Sequence, residues 1–139
     1  MVVIVIFGLL MLLEIPSTIG RYSSRGHRRE MPYIAVLQIQ EINNVLDIYL
    51  KHNGFYPTTE QGLEALVTKP KTDPQPENYA EGGYLKRVPM DPWGNPIIYR
   101  RNGEEGPIEI ISCGPDGEEG TKDDITNYIE EYTEKGVPL

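Results

Sequence analysis

The first thirteen residues of the chain carry no charge, and all of them except Gly8 are apolar. Glu14 and Pro16 follow, so the apolar run ends at Leu13. A helix that crosses a bilayer requires about 20 apolar residues, and this run is shorter unless further apolar residues precede it. Three interpretations are open: a secretory signal, a buried core helix, or a stem that lies first in a membrane and later in an assembly of identical stems.

The pattern of this run favours the stem. No basic residue precedes the run, and residues 13–19 fit the cleavage site of a secretory signal poorly. The β-branched start at residues 2–6 and the apolarity on all sides suit lipid or a helix bundle better than the edge of a small domain. A truncated signal anchor is the second interpretation.

Composition limits what the rest of the chain can do. Of the 139 residues, about 100 remain for one small domain after the apolar run and the polar stretch that follows it. The formal net charge of -8 argues against nucleic-acid binding, because phosphate contacts require a basic surface. Cys113 is the only cysteine, so a metal or a partner, rather than an intrachain disulfide, would stabilise so small a core.

We predict three segments along the chain. Residues 1–16 form an apolar transmembrane or assembly stem whose N-terminus is expected to be truncated, residues 17–32 form a polar and basic juncture, and residues 33–139 form a globular domain. The juncture contains four arginines. We expect Gly26 and Pro32 to interrupt helical structure in it, because proline lacks an amide donor and disfavours helix at the preceding residue.

Helical periodicity follows the juncture. Apolar residues at spacings of three and four predict a helix over residues 33–52 with one buried face. That face consists of Ala35, Ile39, Ile42, Leu46 and Tyr49. Asn53 and Gly54 should end the helix, because both tolerate the left-handed conformation.

A second, shorter helix is predicted over residues 58–67. Thr58 and Gln61 have the spacing of a capping box, in which each side chain bonds the other residue's backbone N–H. A proline-rich loop over residues 71–83 follows, and we expect packing to hold it in place. The side chains expected to do so are Tyr79 and Tyr84.

The second half of the chain has the pattern of short strands. Residues 91–94 have the residue types of a type I turn, and we expect Trp93 within it to fill the small core. Residues 97–100 and 108–112 are predicted to form a hairpin. A third strand is predicted near residues 128–132.

Residues 112–124 form an acidic, glycine-rich loop. Five acidic side chains accompany one lysine, and Gly117 and Gly120 would let Asp116 approach the pair Asp123 and Asp124. Calcium prefers six to eight oxygen ligands and suits such a loop, although the spacing is not that of an EF-hand. One cysteine without a nearby histidine argues against zinc or copper. Composition alone favours an ordinary solvated turn over a calcium site.

The sequence contains no pattern typical of an enzyme. No nucleophile and histidine pair is apparent, and nothing predicts a substrate pocket beside the acidic loop. A hydrolase that uses two of these acids is a remote alternative.

Four blocks of the sequence resemble the major pseudopilin family of the type II secretion system, the G-type subunit. The blocks are MVVIVIFGLL at residues 1–10, LDIYLKHNGFYPTTEQGLEALVTKP at 46–70, YAEGGYLKRVPMDPWGNP at 79–96 and ISCGPDGEEGTKDDI at 111–125. They span most of the chain.

The resemblance implies a pilin-like α+β fold, with a long N-terminal helix packed on a small antiparallel β-sheet and a calcium-binding loop. It implies a structural subunit, not an enzyme, with a single-pass stem in the inner membrane and its globular domain in the periplasm of a Gram-negative bacterium. Such subunits form a homopolymer through the N-terminal helix, the pseudopilus. Together with minor pseudopilins and inner-membrane components, it supports export of folded proteins across the outer membrane.

Carried over by position, the resemblance implies that Asp116, Asp123 and Asp124 are the side-chain ligands of Ca2+. Backbone oxygens near Ile111 and Ser112 are further candidate ligands.

Several departures from the family pattern accompany the resemblance. The phenylalanine and glutamate that open the family's processed chain would lie just before Met1, so neither processing nor N-methylation is assigned to a residue of this sequence. Pro32 conflicts with an unbroken stem, and Cys113 is unexpected in an oxidising compartment. Two other functions stay open: a subunit of another type IV pilus-like fibre, and a membrane-anchored calcium-binding module that does not polymerise.

Overall fold

A computed structural model of the chain describes residues 24–103 and 106–128. One long helix, α1 (Ser24–Asn53), precedes a short 3-10 helix (Leu63–Leu66) and three strands. The strands are β1 (Ile98–Arg101), β2 (Ile108–Ser112) and β3 (Ile125–Thr126). They form an antiparallel sheet in the order β1-β2-β3, and α1 packs on β2 and β3. This arrangement confirms the predicted pilin-like α+β class.

The predicted membrane stem, residues 1–16, lies outside the described residues. Among the helices that the structure describes, none is long and apolar enough to cross a membrane.

Helix α1 is longer than predicted at its start and ends where predicted. It begins at Ser24 and continues through Gly26 and Pro32, so the prediction that these two residues interrupt it is wrong. Proline removes one hydrogen bond, and the remainder of a helix of 30 residues can maintain the structure around it. At the other end, Gly54 has a φ of 83°, and its N–H donates to the Leu50 carbonyl at 2.7 Å.

The buried face of α1 confirms the predicted periodicity. All five residues of the predicted face have relative exposures of 2% or less: Ala35, Ile39, Ile42, Leu46 and Tyr49. They belong to one core together with Leu66, Tyr99 and Ile110. Trp93 is only partly buried against this core, so the prediction that it fills the core is wrong. Leu46 and Tyr49 are fully buried instead.

The capping box forms, although the helix that follows it is short. The Thr58 N–H donates to Gln61 Oε1 and the Gln61 N–H to Thr58 Oγ1, both at 3.1 Å. The regular helix covers only Leu63–Leu66, rather than the predicted ten residues. The Gln61 side chain also donates to the carbonyls of Thr72 and Pro74 at 2.9 and 3.2 Å. The capping residue therefore also fixes the proline-rich loop.

Tyrosine packing holds the later part of that loop, as predicted. The ring centroids of Tyr79 and Tyr84 lie 6.4 and 5.2 Å from that of Tyr49 on α1. Asn53 Nδ2 also donates to the Tyr84 hydroxyl at 3.0 Å. The end of α1 and the loop thus form one packed unit.

The predicted hairpin is confirmed, and the third strand of the described sheet is β3. Ile98 pairs with Ile111, and β3 begins at Ile125, before the predicted residues 128–132. Only residue 128 of that prediction falls within the described residues. Asn127 continues the pairing after β3, because its side chain accepts from the Ile110 N–H at 2.9 Å and donates to the Ile108 carbonyl at 3.1 Å.

Candidate metal centre

The acidic loop connects β2 to β3 and folds back on itself. Gly117 and Gly120 have φ angles of 70° and 89°, a conformation that glycine adopts without steric cost. The loop brings Asp116 and Asp123 together, and the Asp116 N–H lies 3.4 Å from Asp123 Oδ2. The reversal predicted from the two glycines is therefore present.

Each of the three predicted carboxylates accepts a hydrogen bond inside the loop. Asp116 Oδ1 accepts from the Glu118 N–H at 2.9 Å, and Asp124 Oδ2 accepts from the Gly120 N–H at 2.7 Å. The Thr121 hydroxyl donates to Asp123 Oδ1 at 2.6 Å. This last bond is the main cause that lowers the pKa of the Asp123 carboxyl group.

The other oxygen of Asp124 is the unusual atom of the loop. Asp124 Oδ1 is buried and has no hydrogen-bond partner among the described residues. A buried carboxylate oxygen without a donor is destabilising, because burial removes its hydrogen bonds to water and no protein group replaces them. A bound cation would provide the missing interaction.

The donor set fits calcium better than a softer metal. Within residues 24–103 and 106–128, no three acidic, histidine or cysteine side chains lie close enough to form a metal site by themselves. The structure therefore does not bring Asp116, Asp123 and Asp124 together as a cluster of three ligands, and a calcium ion, which also accepts backbone carbonyls and water, would have to draw them in. Burial is the main cause that raises the pKa of the Cys113 thiol, and the negative charge of Asp124 is the next cause. Cys113 is therefore an unsuitable ligand.

The two further candidates lie at the end of β2. Ile111 is buried and pairs with Ile98 on one side and Thr126 on the other. Ser112 is fully buried, and its hydroxyl donates to Asp91 Oδ2 at 2.8 Å. The Ser112 side chain is thus engaged with Asp91, and the backbone oxygens of both residues stay predictions as ligands.

Sequence reasoning missed two residues that contact this loop. Asp91 is buried, with 5% relative exposure, and Asn95 Nδ2 donates to the Gly114 carbonyl at 2.8 Å. Asp91 is the first residue of the turn predicted at residues 91–94, and Asn95 directly follows that turn. An aspartate that begins a turn is fully explained by that turn, so local sequence gives no sign that it also bonds a distant strand.

An ion pair joins the loop to the sheet. Arg100 Nη2 on β1 lies 2.6 Å from Glu119 Oε2, and Arg100 Nη1 lies 3.6 Å from Glu109 Oε2 on β2. The hydrogen bond from Arg100 lowers the pKa of the Glu119 carboxyl group. These side chains are substantially exposed, so the pair is expected to orient the loop more than to stabilise the fold.

Replacing Gly114 by alanine should disrupt the loop more than the same change at Gly120. Both glycines have positive φ, at 64° and 89°, so both substitutions carry the cost of a left-handed backbone. Only at Gly114 would the new Cβ atom lie 2.6 Å from the Asp123 carbonyl oxygen, whereas Gly120 has no atom within 4 Å. We expect Gly114→Ala to cost at least about 1 kcal/mol more than Gly120→Ala in urea unfolding. Equal losses would contradict this steric account.

Comparison with known proteins gives concordant results. The family model for type II secretion system protein G matches residues 26–128. The type II secretion system core protein G of Aeromonas hydrophila is 48% identical over 128 residues, covering 92% of this chain and 86% of the relative. That of Escherichia coli K12 is 46% identical over 128 residues, with 92% and 85% covered.

A solved structure also matches the fold. It is the crystal structure of the major pseudopilin from the type 2 secretion system of enterohaemorrhagic Escherichia coli, which is 42% identical in sequence with a TM-score of 0.64. The match covers 76% of this chain and 89% of that chain.

Proposed function

Because this chain belongs to the type II secretion system protein G family, we propose that it polymerises through its N-terminal helix and that Ca2+ stabilises its acidic loop. Membership of the family makes it a structural pseudopilin of the secretion system and not an enzyme. A pseudopilin is a membrane-anchored periplasmic subunit that assembles with other secretion components. Its partners in this proposal are further copies of the chain, minor pseudopilins and inner-membrane components.

The observation that carries this function is the match to the family over residues 26–128, which includes all but the first two residues of α1, the sheet and the acidic loop. The apolar run at residues 1–13 suits a single-pass anchor in the inner membrane. A membrane-anchored calcium-binding module that does not polymerise would have the same apolar run, and self-association of the full chain in membranes would distinguish it from the pseudopilin. The rival pilus-like fibre would share the stem but would not require the acidic loop.

Exposed apolar side chains on α1 support assembly through the helix. Tyr33, Ile34 and Leu37 have relative exposures of 45%, 38% and 46%. Leu37 follows Tyr33 by four residues and Ile34 by three, so it is a neighbour of both on the helix surface. The globular domain leaves them uncovered, so the stem of a second copy can bury them.

The proposed calcium site uses Asp116, Asp123 and Asp124 as side-chain ligands, with backbone oxygens near Ile111 and Ser112 as candidates. Calcium would supply positive charge to the loop and satisfy the buried oxygen of Asp124. The chain's own contribution is to place these three residues on one loop between β2 and β3. The resulting role is mechanical, because a fixed loop presents a fixed surface to neighbouring subunits.

Calcium should raise the melting temperature of the full chain in detergent micelles, whereas magnesium at the same concentration should not. At a calcium concentration about 100-fold above Kd the stabilisation is about 2.7 kcal/mol, which corresponds to a shift of roughly 10 °C. Asp124→Asn should abolish most of the shift, because it removes the charge at the oxygen that lacks a partner. Circular dichroism at rising temperature measures this.

The matched control is Asp73→Asn, an exposed aspartate outside the loop, which should retain the whole calcium shift. A wild-type melting temperature that calcium leaves unchanged would contradict the calcium site. It would leave the assignment to the pseudopilin family intact.

A further inference from the structure

We infer that the turn at residues 91–95 positions the acidic loop for its cation, with Asn95 as the positioning residue. Asn95 lies 19 residues before Gly114, whose carbonyl it holds, and it is not one of the proposed ligands. The inference rests on the proposed calcium site. It extends that site to a part of the chain that sequence analysis explained as an ordinary turn.

The turn is rigid because its first residue binds its own backbone. Asp91 Oδ1 accepts from the N–H groups of Trp93 and Asn95 at 3.0 and 2.7 Å. The backbone closes in the same way, since the Asp91 N–H donates to the Asn95 carbonyl at 2.9 Å and the Gly94 N–H to the Asp91 carbonyl at 3.0 Å. Asn95 is therefore held at a fixed place relative to a buried carboxylate.

The orientation of the Asn95 amide follows from its neighbours. Asn95 Nδ2 lies 3.4 Å from Asp91 Oδ2 and 2.8 Å from the Gly114 carbonyl oxygen, and both of these atoms only accept hydrogen bonds. The amide nitrogen must face them. Asn95 Oδ1 then faces Gly117, where an added Cβ atom would lie 3.1 Å away.

The turn thus holds the start of the loop at three points. Asp91 accepts from the Ser112 hydroxyl at 2.8 Å, Asn95 donates to Gly114, and Asn95 packs beside Gly117. Hydrogen bonding at Asp91 and close packing at Asn95 act together, so residues 112–117 have little freedom to move away from the turn.

Gly114 transmits this constraint to the carboxylates. A Cβ atom at Gly114 would lie 2.6 Å from the carbonyl oxygen of Asp123 and 2.7 Å from its Oδ2. Gly114 and Asp123 are therefore in close contact, and a displacement of Gly114 displaces Asp123. Groups that orient the ligands of a metal without binding it commonly change metal affinity by about 10- to 100-fold when they are removed.

The test compares Asn95→Ala with Asn127→Ala in the full chain in detergent micelles. Asn127 is the matched control, because its amide also bridges backbone groups, at Ile110 and Ile108, and neither of these residues belongs to the loop or to the proposed ligands. Isothermal titration with CaCl2 gives Kd, and melting in chelator gives stability without the cation. We expect Asn95→Ala to raise Kd about tenfold or more, while Asn127→Ala lowers the melting temperature and leaves Kd within about threefold.

Three results would overturn the inference. If both variants raise Kd equally, Asn95 acts through general stability, and if neither does, it does not position the loop. A wild-type chain without a saturable calcium response would overturn the calcium site itself and this inference with it. Asn95→Ser, which leaves a small polar group in the turn, serves as the second variant if Asn95→Ala does not fold.

Discussion

Replacing Asp91 by alanine should lower the free energy of unfolding by about 4 kcal/mol, measured by urea unfolding in chelator. The substitution removes the acceptor of the backbone N–H groups of Trp93 and Asn95 and of the buried Ser112 hydroxyl. A buried donor left without an acceptor costs about 1–3 kcal/mol. Chelator removes any contribution from calcium, so the loss reports the turn and the strand end alone.

Asp47→Ala is the matched control for this prediction. Asp47 is a partly buried aspartate that accepts a single described hydrogen bond, from the Tyr56 hydroxyl at 2.7 Å. Its loss should cost about 1 kcal/mol. Asp91→Asn keeps an oxygen for the two backbone donors, so its loss of unfolding free energy should lie between the losses of Asp91→Ala and Asp47→Ala. If Asp91→Ala is no more harmful than Asp47→Ala, the buried network does not contribute as we describe.

The parts of the fold that local rules decide were predictable from sequence. The buried face of α1 follows from apolar residues at spacings of three and four, and the end of the helix follows from Gly54. The capping box of Thr58 and Gln61 depends on residues only three apart. In each case the interacting groups are close in sequence, so a pattern within a short window contains the necessary information.

The errors arose where tertiary packing outweighs a local preference. Pro32 disfavours helix, but it removes only one hydrogen bond from a helix of 30 residues. Packing of that helix on the sheet outweighs this loss. Trp93 is the largest apolar side chain, yet it is fixed in a turn at the edge of the core. A sequence shows the size of a side chain but not its distance from the centre of the domain.

In the acidic loop, the approach of two aspartates was predictable from sequence, whereas the contacts that hold the loop in place were not. Glycine spacing indicated that Asp116 and Asp123 would approach each other, and they do. The residues that hold the loop were not visible in the same way. Asp91 bonds Ser112 from 21 residues away, and such a contact exists only once the sheet has formed.

Replacing Ile34 and Leu37 by serine together should reduce oligomers of the full chain in membranes about tenfold or more. Burying the exposed part of these two side chains against a second copy contributes about 1 kcal/mol each, and 1.4 kcal/mol corresponds to about tenfold in association. The measurement is the fraction of chemically cross-linked oligomers in membrane vesicles at equal protein density.

Gln40→Ser with Asn44→Ser is the matched control, since both residues are exposed and polar on the same helix. This pair should leave the oligomer fraction unchanged, because it removes no apolar surface. The serine variants at positions 34 and 37 retain residues 1–13, so a loss of oligomers would separate helix packing from membrane anchoring. An unchanged fraction in those variants would place the contacts between subunits elsewhere and contradict assembly through this surface of α1.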